Sequence, residues 1–307
     1  MKALLANAGE VVYASSGGFK PFTPTEVRNF LALYILQGLS PSPQVKQKFQ
    51  PQSVDPVNGN DMVVSVFGRN AEKRHKMFKA YFCVQDPQKI VPPKTTHPNF
   101  KIDPFLKWVQ IVSIASWDLG KIISCDEQTI GFKGNHSDVQ RVNYKKEGDG
   151  FLCDSICENG FTYSFFFRNM PAPKNYLDAG FSPLHARCLF LFDQLKEEHH
   201  VCGMDNLFSS VKFFREAYKG KNKVLCHGVT RKSGRGLPNC VIQEEVKNKK
   251  EQEKIRGTTK AAVLTDDPEC PQMVAFSVYD TKPVHFLSMA CTGLKWIEKK
   301  KKCLTKV

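Results

Sequence analysis

Long apolar runs are missing from this sequence: the longest, residues 30–36, falls far short of the roughly 20 residues a helix needs to cross a bilayer. The start offers only Ala3-Leu4-Leu5-Ala6 between Lys2 and Gly9, too short for the apolar region of a secretory signal. No membrane role and no secretion by that route are expected. Cys-x-x-Cys pairs are missing too, although the chain has 11 cysteines. An odd number without paired spacing points to a reduced compartment, packed free thiols and no zinc site. Internal repeats are absent. So is a Gly-rich phosphate loop: Arg231-Lys232-Ser233-Gly234-Arg235-Gly236 is basic and flexible but lacks the strand and helix that flank a nucleotide site. Acidic residues are scarce, 30 Asp and Glu against 44 Lys and Arg, a net charge of +14. Such an excess points to a polyanionic partner, nucleic acid before an acidic membrane face. A basic protein merely solvated by its lysines has the same composition.

What is present is enough for a sizeable core: 307 residues, 41% of them hydrophobic, room for one large domain or two ordinary ones. Residues 1–20 read as a loose leader. Thr23-Pro24-Thr25-Glu26 is a capping box with proline at the first helical position, and Val27, Phe30, Leu31, Tyr34 and Ile35 repeat at helical spacing up to Gly38. A second helix follows Asn70 through Arg74, Met77, Phe78 and Tyr81. A third starts at Asp103-Pro104 and runs towards Gly120. Residues 21–120 are thus a helical region, interrupted by the Pro- and Gln-rich segment 40–58.

At Lys121 the period changes to extended. Ile122, Ile123 and Cys125 lead into Asp126, and residues 151–155 and 161–167 flank Asn159-Gly160, a strong hairpin signal. A helix from Pro183, a short strand over 200–204 ending at Asp205, a helix over 209–218 and a strand over 224–229 follow. Strand, strand, strand, helix, strand, helix, strand is the order of an RNase H-like core, here residues 121–229. Residues 230–307 read as a separate, weakly structured module: from 246 to the end, 13 Lys and Arg face seven Asp and Glu, with polar runs at 247–260 and 299–302.

In such a core one acidic residue lies on the first strand and another at the end of the fourth, and Asp126 and Asp205 hold those places. Hard oxygen ligands suit Mg²⁺ or Mn²⁺ and phosphodiester chemistry. By spacing alone a turn or cap role for either aspartate competes with this reading. His199-His200 lack an acidic or cysteine partner at ligand spacing, and Cys153 and Cys157 share a strand face, which is core packing in most cases.

The residues around the aspartates carry a resemblance. Cys125-Asp126-Glu127-Gln128-Thr129-Ile130-Gly131-Phe132-Lys133-Gly134 resembles the Asp-Glu-Gln motif of the piggyBac transposase family, and Met204-Asp205-Asn206-Leu207-Phe208-Ser209-Ser210 resembles its second motif. The helical region is similar to the family's dimerisation and DNA-binding part, and the likeness extends over roughly residues 22–295. The resemblance implies an α/β fold: an RNase H-like catalytic core, the helical region before it, and a partial β-rich insertion domain after it. It implies a nuclear protein with double-stranded DNA as partner, a homodimer, and cut-and-paste chemistry. Water attacks a phosphodiester, then the freed 3′-hydroxyl attacks in turn, with Mg²⁺ or Mn²⁺ held by Asp126 and Asp205. Lys133 and Arg141 would lie near the acidic pair, and Arg231, Lys232 and Arg235 would touch phosphates. For Lys133 and Arg141 a solvated surface charge is the rival reading.

One family feature is missing from these 307 residues: a third aspartate in a segment reading roughly Asn-x-x-x-Gly-Gly-Val-Asp. Residues 274–278 and 284–289 look like strands of the insertion, and Asp266, Asp267, Glu269 and Asp280 stand outside any motif. The cysteine-rich zinc-binding tail common in the family is absent as well. The expectation is an ancestral transposase with an incomplete site, as a fragment, a truncated gene product or a domesticated protein. The alternative is a DNA-binding or protein-interaction module without catalysis.

Overall fold

The structure is a computed structural model of the 307-residue chain. It describes residues 22–39, 71–86, 89–132, 134–141, 148–234, 236–265, 267–270 and 273–290. The expected leader, the segment 40–58 and the lysine tail lie outside these, as do Lys133, Arg235 and Asp266. The chain divides into two compact units, Met1–Trp108 and Val109–Val307.

In the first unit, helix α1 (Pro24–Leu39) starts at the expected capping box, with both reciprocal bonds formed. The Thr23 N–H donates to Glu26 Oε2 at 2.7 Å and the Glu26 N–H donates to Thr23 Oγ1 at 3.1 Å. The helix continues one residue past Gly38. Val27 and Phe30 bury against Phe78 of α2 (Ala71–Tyr81), the Phe30 and Phe78 ring centroids 3.8 Å apart. Glu26 also binds Arg74, Nε to Oε1 at 3.0 Å. Burial pushes the Glu26 carboxyl up, but the Arg74 hydrogen bond and charge together with the Thr23 bonds outweigh it and leave it below its ordinary range. Helix α3 (Asp103–Ser116) spans the division between the two units at Trp108 and ends four residues short of Gly120.

The second unit is built on one sheet of nine strands among the described residues. They are β1 (Ile122–Gly131), β2 (Gln140–Arg141), β3 (Asp149–Glu158), β4 (Phe161–Phe167), β5 (Val201–Met204), β6 (Leu225–Thr230), β7 (Thr259–Val263), β8 (Val274–Tyr279) and β9 (Pro283–Ser288). Their order is β2-β3-β1-β5-β6-β9-β8-β7, with β4 on β3. The β3–β4 turn is the two-residue type its Asn-Gly pair demands, with φ of 50° at Asn159 and 83° at Gly160. After β4 come the short helix α4 (Lys174–Asp178), then α5 (Pro183–Asp193) before β5 and α6 (Val211–Lys219) before β6. Both long helices make the parallel crossovers β1 to β5 to β6 possible. The hydrophobic core is shared by inward residues of β1, β5 and β6 (Ile123, Cys125, Cys202, Cys226) and by Leu189, Leu191 and Phe192 of α5 and Phe213 and Phe214 of α6.

Residues after Thr230 do not stay apart from this core. β9 pairs antiparallel with β6 and β8 with β9, and Cys270, Met273, Ala275, Leu287 and Met289 join the same buried cluster. A short helix, α7 (Lys249–Ile255), forms within the lysine-rich run and begins at an Asn248 cap whose Oδ1 accepts from the Lys250 N–H at 3.0 Å. The polar composition of this stretch hid both features, because the apolar residues that anchor it come later, in β8 and β9.

The cysteines behave as packed thiols. Cys125 donates to Cys188 Sγ at 3.6 Å, and that bond together with burial pushes its thiol well up. Burial does the same for Cys202 and Cys226, whereas Cys83 and Cys240 are exposed. Among the described cysteines, a thiol reagent at neutral pH is therefore expected to label Cys83 and Cys240 within the first minutes and the six buried ones, Cys125, Cys153, Cys188, Cys202, Cys226 and Cys270, only on unfolding. Mass spectrometry of the labelled peptides checks this, and early labelling of Cys125 would contradict it.

Candidate functional site

The site is built by the ladder between β1 and β5. These strands run parallel with Ile122 level with Val201, Ile123 with Cys202, Ser124 with Gly203 and Cys125 with Met204. One step further are Asp126 on one strand and Asp205 on the other. Neighbouring strands lie about 4.8 Å apart, so continuing the ladder by one step sets the two aspartates side by side. Alternation turns Ile123 and Cys125 into the helix-covered face and Asp126 to the other, where it is exposed. Asp205, just past its strand, is exposed too.

Local bonds hold each carboxylate. Asp126 Oδ1 accepts from the Glu127 N–H at 2.7 Å, and the Ser155 hydroxyl donates to the Asp126 carbonyl at 3.3 Å. Asp205 closes an Asx-type turn: its Oδ1 accepts from the Leu207 N–H at 2.8 Å, and the Ser209 hydroxyl donates to the Asp205 carbonyl at 2.9 Å. That turn needs Gly228 behind it, since a Cβ there would meet the Met204 carbonyl oxygen at 2.4 Å and Ser209 Oγ at 2.5 Å. The loop is tied down at Phe208, a fully buried ring whose carbonyl accepts from the His185 Nε2–H at 3.0 Å. Burial holds the His185 imidazole below its ordinary pKa, against the pull of that carbonyl, and its ring stacks on Phe213 at 4.6 Å.

The donor set suits one divalent ion. Two exposed carboxylates, neither paired with a cation among the described residues, are hard oxygen ligands, and Mg²⁺ characteristically takes one or two carboxylates and keeps several waters. A third ligand is not drawn in. Among the described residues no group of three or more His, Cys, Asp or Glu side chains is placed to hold a metal. Asp280, in the β8–β9 turn three strands from β5, binds Arg256 at 2.6 Å. Asp267 binds Arg215 at 2.8 Å, and Glu269 binds Arg215 and Lys219. His200 is buried, with Nδ1 2.9 Å from the Gly120 carbonyl oxygen, a bond that fixes the start of β1.

The basic residues are less clustered than the resemblance implies. Arg141 is 79% exposed and lies near Asp149 at 3.6 Å, but β2 meets β3 at Gly150, level with Gly131. That is five residues beyond Asp126 along β1, roughly 17 Å of strand, so Arg141 does not stand beside the acidic pair. Arg231 and Lys232 follow β6 at the end of the sheet where the aspartates lie. Arg231 is exposed and Lys232 binds Glu244 at 2.5 Å.

Sequence reasoning missed a group behind Asp126. Asp154 on β3 is fully buried and accepts from Arg168 and Arg187, while Arg168 also donates to Glu127. The available signal was an acidic residue inside the apolar stretch Phe151-Leu152-Cys153-Asp154-Ser155-Ile156, which can be buried only with partners.

No curated protein matches the chain. Among solved structures, its fold is similar to piggyBac transposase in a cryo-EM structure of the synaptic complex with hairpin DNA, with a TM-score of 0.68 and 15% sequence identity. The similarity covers 97% of this chain and 59% of that one, so this chain spans little more than half of that protein's length. At 15% identity the likeness is one of fold. A sequence family model described as Transposase IS4 matches residues 8–307, nearly the whole length, and on that match the chain belongs to the transposase IS4 family.

Proposed function

We propose that this protein derives from a divalent-metal-dependent DNA transposase and retains double-stranded DNA as its partner, with Asp126 and Asp205 as the surviving ligands for Mg²⁺ or Mn²⁺. The observation that carries the reading is the β1–β5 register, which, continued by one step, sets an exposed carboxylate in the middle of β1 beside another just past the end of β5. An ion bound there would supply charge to polarise a phosphodiester oxygen. The chain's own contribution is to aim the two carboxylates, through the Asx-type turn at Asp205 and the strand pairing of Asp126. Arg231, and Lys232 when released from Glu244, would meet phosphates at the same end of the sheet, with Lys133, Arg141 and Arg235 further candidates. Nuclear localisation and a homodimer through the helical region belong to this reading.

A second reading, a domesticated DNA-binding protein without catalysis, is favoured by one observation: Asp267, Glu269 and Asp280, the described late acidic residues considered for a third ligand, are already bound to arginine or lysine. One experiment tests both. Mn²⁺ binding to the full chain is expected and should be lost in Asp126→Asn and in Asp205→Asn, as read by the electron paramagnetic resonance of free Mn²⁺. Duplex DNA binding should persist in both variants, with log K falling by about 0.9 per phosphate contacted for each unit of log salt. Mn²⁺ binding unchanged by both substitutions would overturn the metal site, and DNA affinity that is absent or flat with salt would overturn the DNA reading.

A further inference from the structure

Asp126 is followed by a second carboxylate that faces the other way. Strand alternation turns Glu127 to the helix-covered face of β1, level with Asp154 on β3. Arg168, just past β4, bridges the two. Its Nη1 donates to Glu127 Oε2 at 2.6 Å, and its Nε and Nη2 donate to Asp154 Oδ1 at 2.9 and 2.6 Å. Arg187 on α5 completes the set by donating from Nε to Asp154 Oδ2 at 2.6 Å. The Asp154 side chain is 0% exposed, those of Arg187 and Arg168 8% and 18%. Burial opposes the charge on Arg168, but Asp154 and Glu127 more than offset it and raise its pKa above the ordinary value.

Two carboxylates and two guanidiniums sum to no net charge among themselves. Buried ion pairs also contribute little net stability compared with apolar residues of the same volume. What such a group does supply is geometry. A planar guanidinium that serves two carboxylates at once fixes their separation, here between β1 and β3, and Arg187 ties the same point to α5. On the other side of Asp126, Cys125 is fully buried against Cys188, also on α5. The residue before Asp126 and the residue after it are therefore both anchored on the inner face, which sets the direction of the Asp126 side chain on the outer one.

We propose that Glu127, Arg168, Asp154 and Arg187 are positioning residues that hold the Asp126 carboxylate in place for a divalent ion without touching it. This rests on the metal reading of Asp126 and Asp205 above. Arg168→Lys tests it, because lysine keeps the charge and loses the fork, and Glu127→Gln tests it from the other side with size kept. In the full chain both are expected to weaken Mn²⁺ binding by tenfold or more, the range seen when groups that orient metal ligands are altered. Arg168→Met separates geometry from field: deleting a nearby positive charge would tighten Mn²⁺ binding, whereas loss of positioning weakens it. Gln243→Met, which breaks buried bonds to Ser277 and Thr258 in the distant β7–β8 region, is the control for general destabilisation; it should lower the melting temperature and leave Mn²⁺ affinity unchanged. If Arg168→Lys and Glu127→Gln fold and bind Mn²⁺ as the unaltered chain does, the positioning role is overturned and the metal site stands. If the unaltered chain shows no Mn²⁺ binding that Asp126→Asn removes, the metal reading falls and takes this role with it.

Discussion

Asparagine in place of Asp154 is expected to destabilise the protein by about 3 to 5 kcal/mol, the largest stability loss of any conservative substitution in the sheet. The change is nearly isosteric, so no cavity opens; the loss comes from charge. Asp154 is wholly buried and accepts from Arg168 and Arg187, and an amide offers both guanidiniums one neutral acceptor oxygen and an NH₂ group that repels them. Two cations, one of them 8% and the other 18% exposed, would be left without a full counter-charge. The comparison is Asp118→Asn. That side chain is 100% exposed and 3.6 Å from Lys196, a surface pair whose loss should be undetectable. Urea unfolding followed by circular dichroism decides the matter: the midpoint should fall far in Asp154→Asn and stay put in Asp118→Asn. Equal midpoints would mean that the buried group is not holding charge.

That group marks the limit of what the sequence discloses. Local chemistry was legible. The Thr23 and Glu26 capping box and the Asn159-Gly160 hairpin are each written within a few residues, and both form with the expected bonds and dihedrals. The alternation of strands and helices from Ile122 to Thr230 was legible for the same reason. Partnership across long separations was not. Period-two alternation says that residues 284–289 form a strand, but not that it pairs antiparallel with β6 and so lengthens the sheet. β7 escaped notice because it is an edge strand whose residues are nearly all exposed, which erases the alternation that reveals a strand. The network joins residues 14, 33 and 41 positions apart, so its members could be suspected one by one but not connected.

The candidate site lies between these cases. Asp126 and Asp205 were singled out because short motifs surround them, and the register of β1 on β5, continued by one step, sets the two side by side. Arg141 was placed beside them by resemblance alone, and the β3 ladder sets it about five positions along the strand instead. A basic residue near a motif in sequence need not be near the motif's carboxylate in space, because an extended strand carries the chain away at about 3.3 Å per residue.

With Mg²⁺ or Mn²⁺ supplied, a protein of these 307 residues is expected neither to cleave nor to join DNA at a measurable rate. In-line displacement at phosphorus needs charge at both the attacking and the leaving oxygen, which two ions provide in sites of this class. Asp126 and Asp205 offer carboxylate enough for one ion, while Asp280, Asp267 and Glu269 are committed to Arg256, Arg215 and Lys219. Even a second ion bound weakly would be misplaced, and a misplacement of about 1 Å can cost a hundredfold in rate. The expected deficit against a complete site is therefore several orders of magnitude, while DNA and Mn²⁺ still bind. The measurement is a strand-cleavage assay on duplexes carrying the terminal repeats of the matching element, with binding followed in the same samples. Cleavage that disappears in Asp126→Ala and in Asp205→Ala would show that another residue completes the site. Asp280→Ala would then be the next variant to make, since freeing that carboxylate requires only that its exposed pair with Arg256 open.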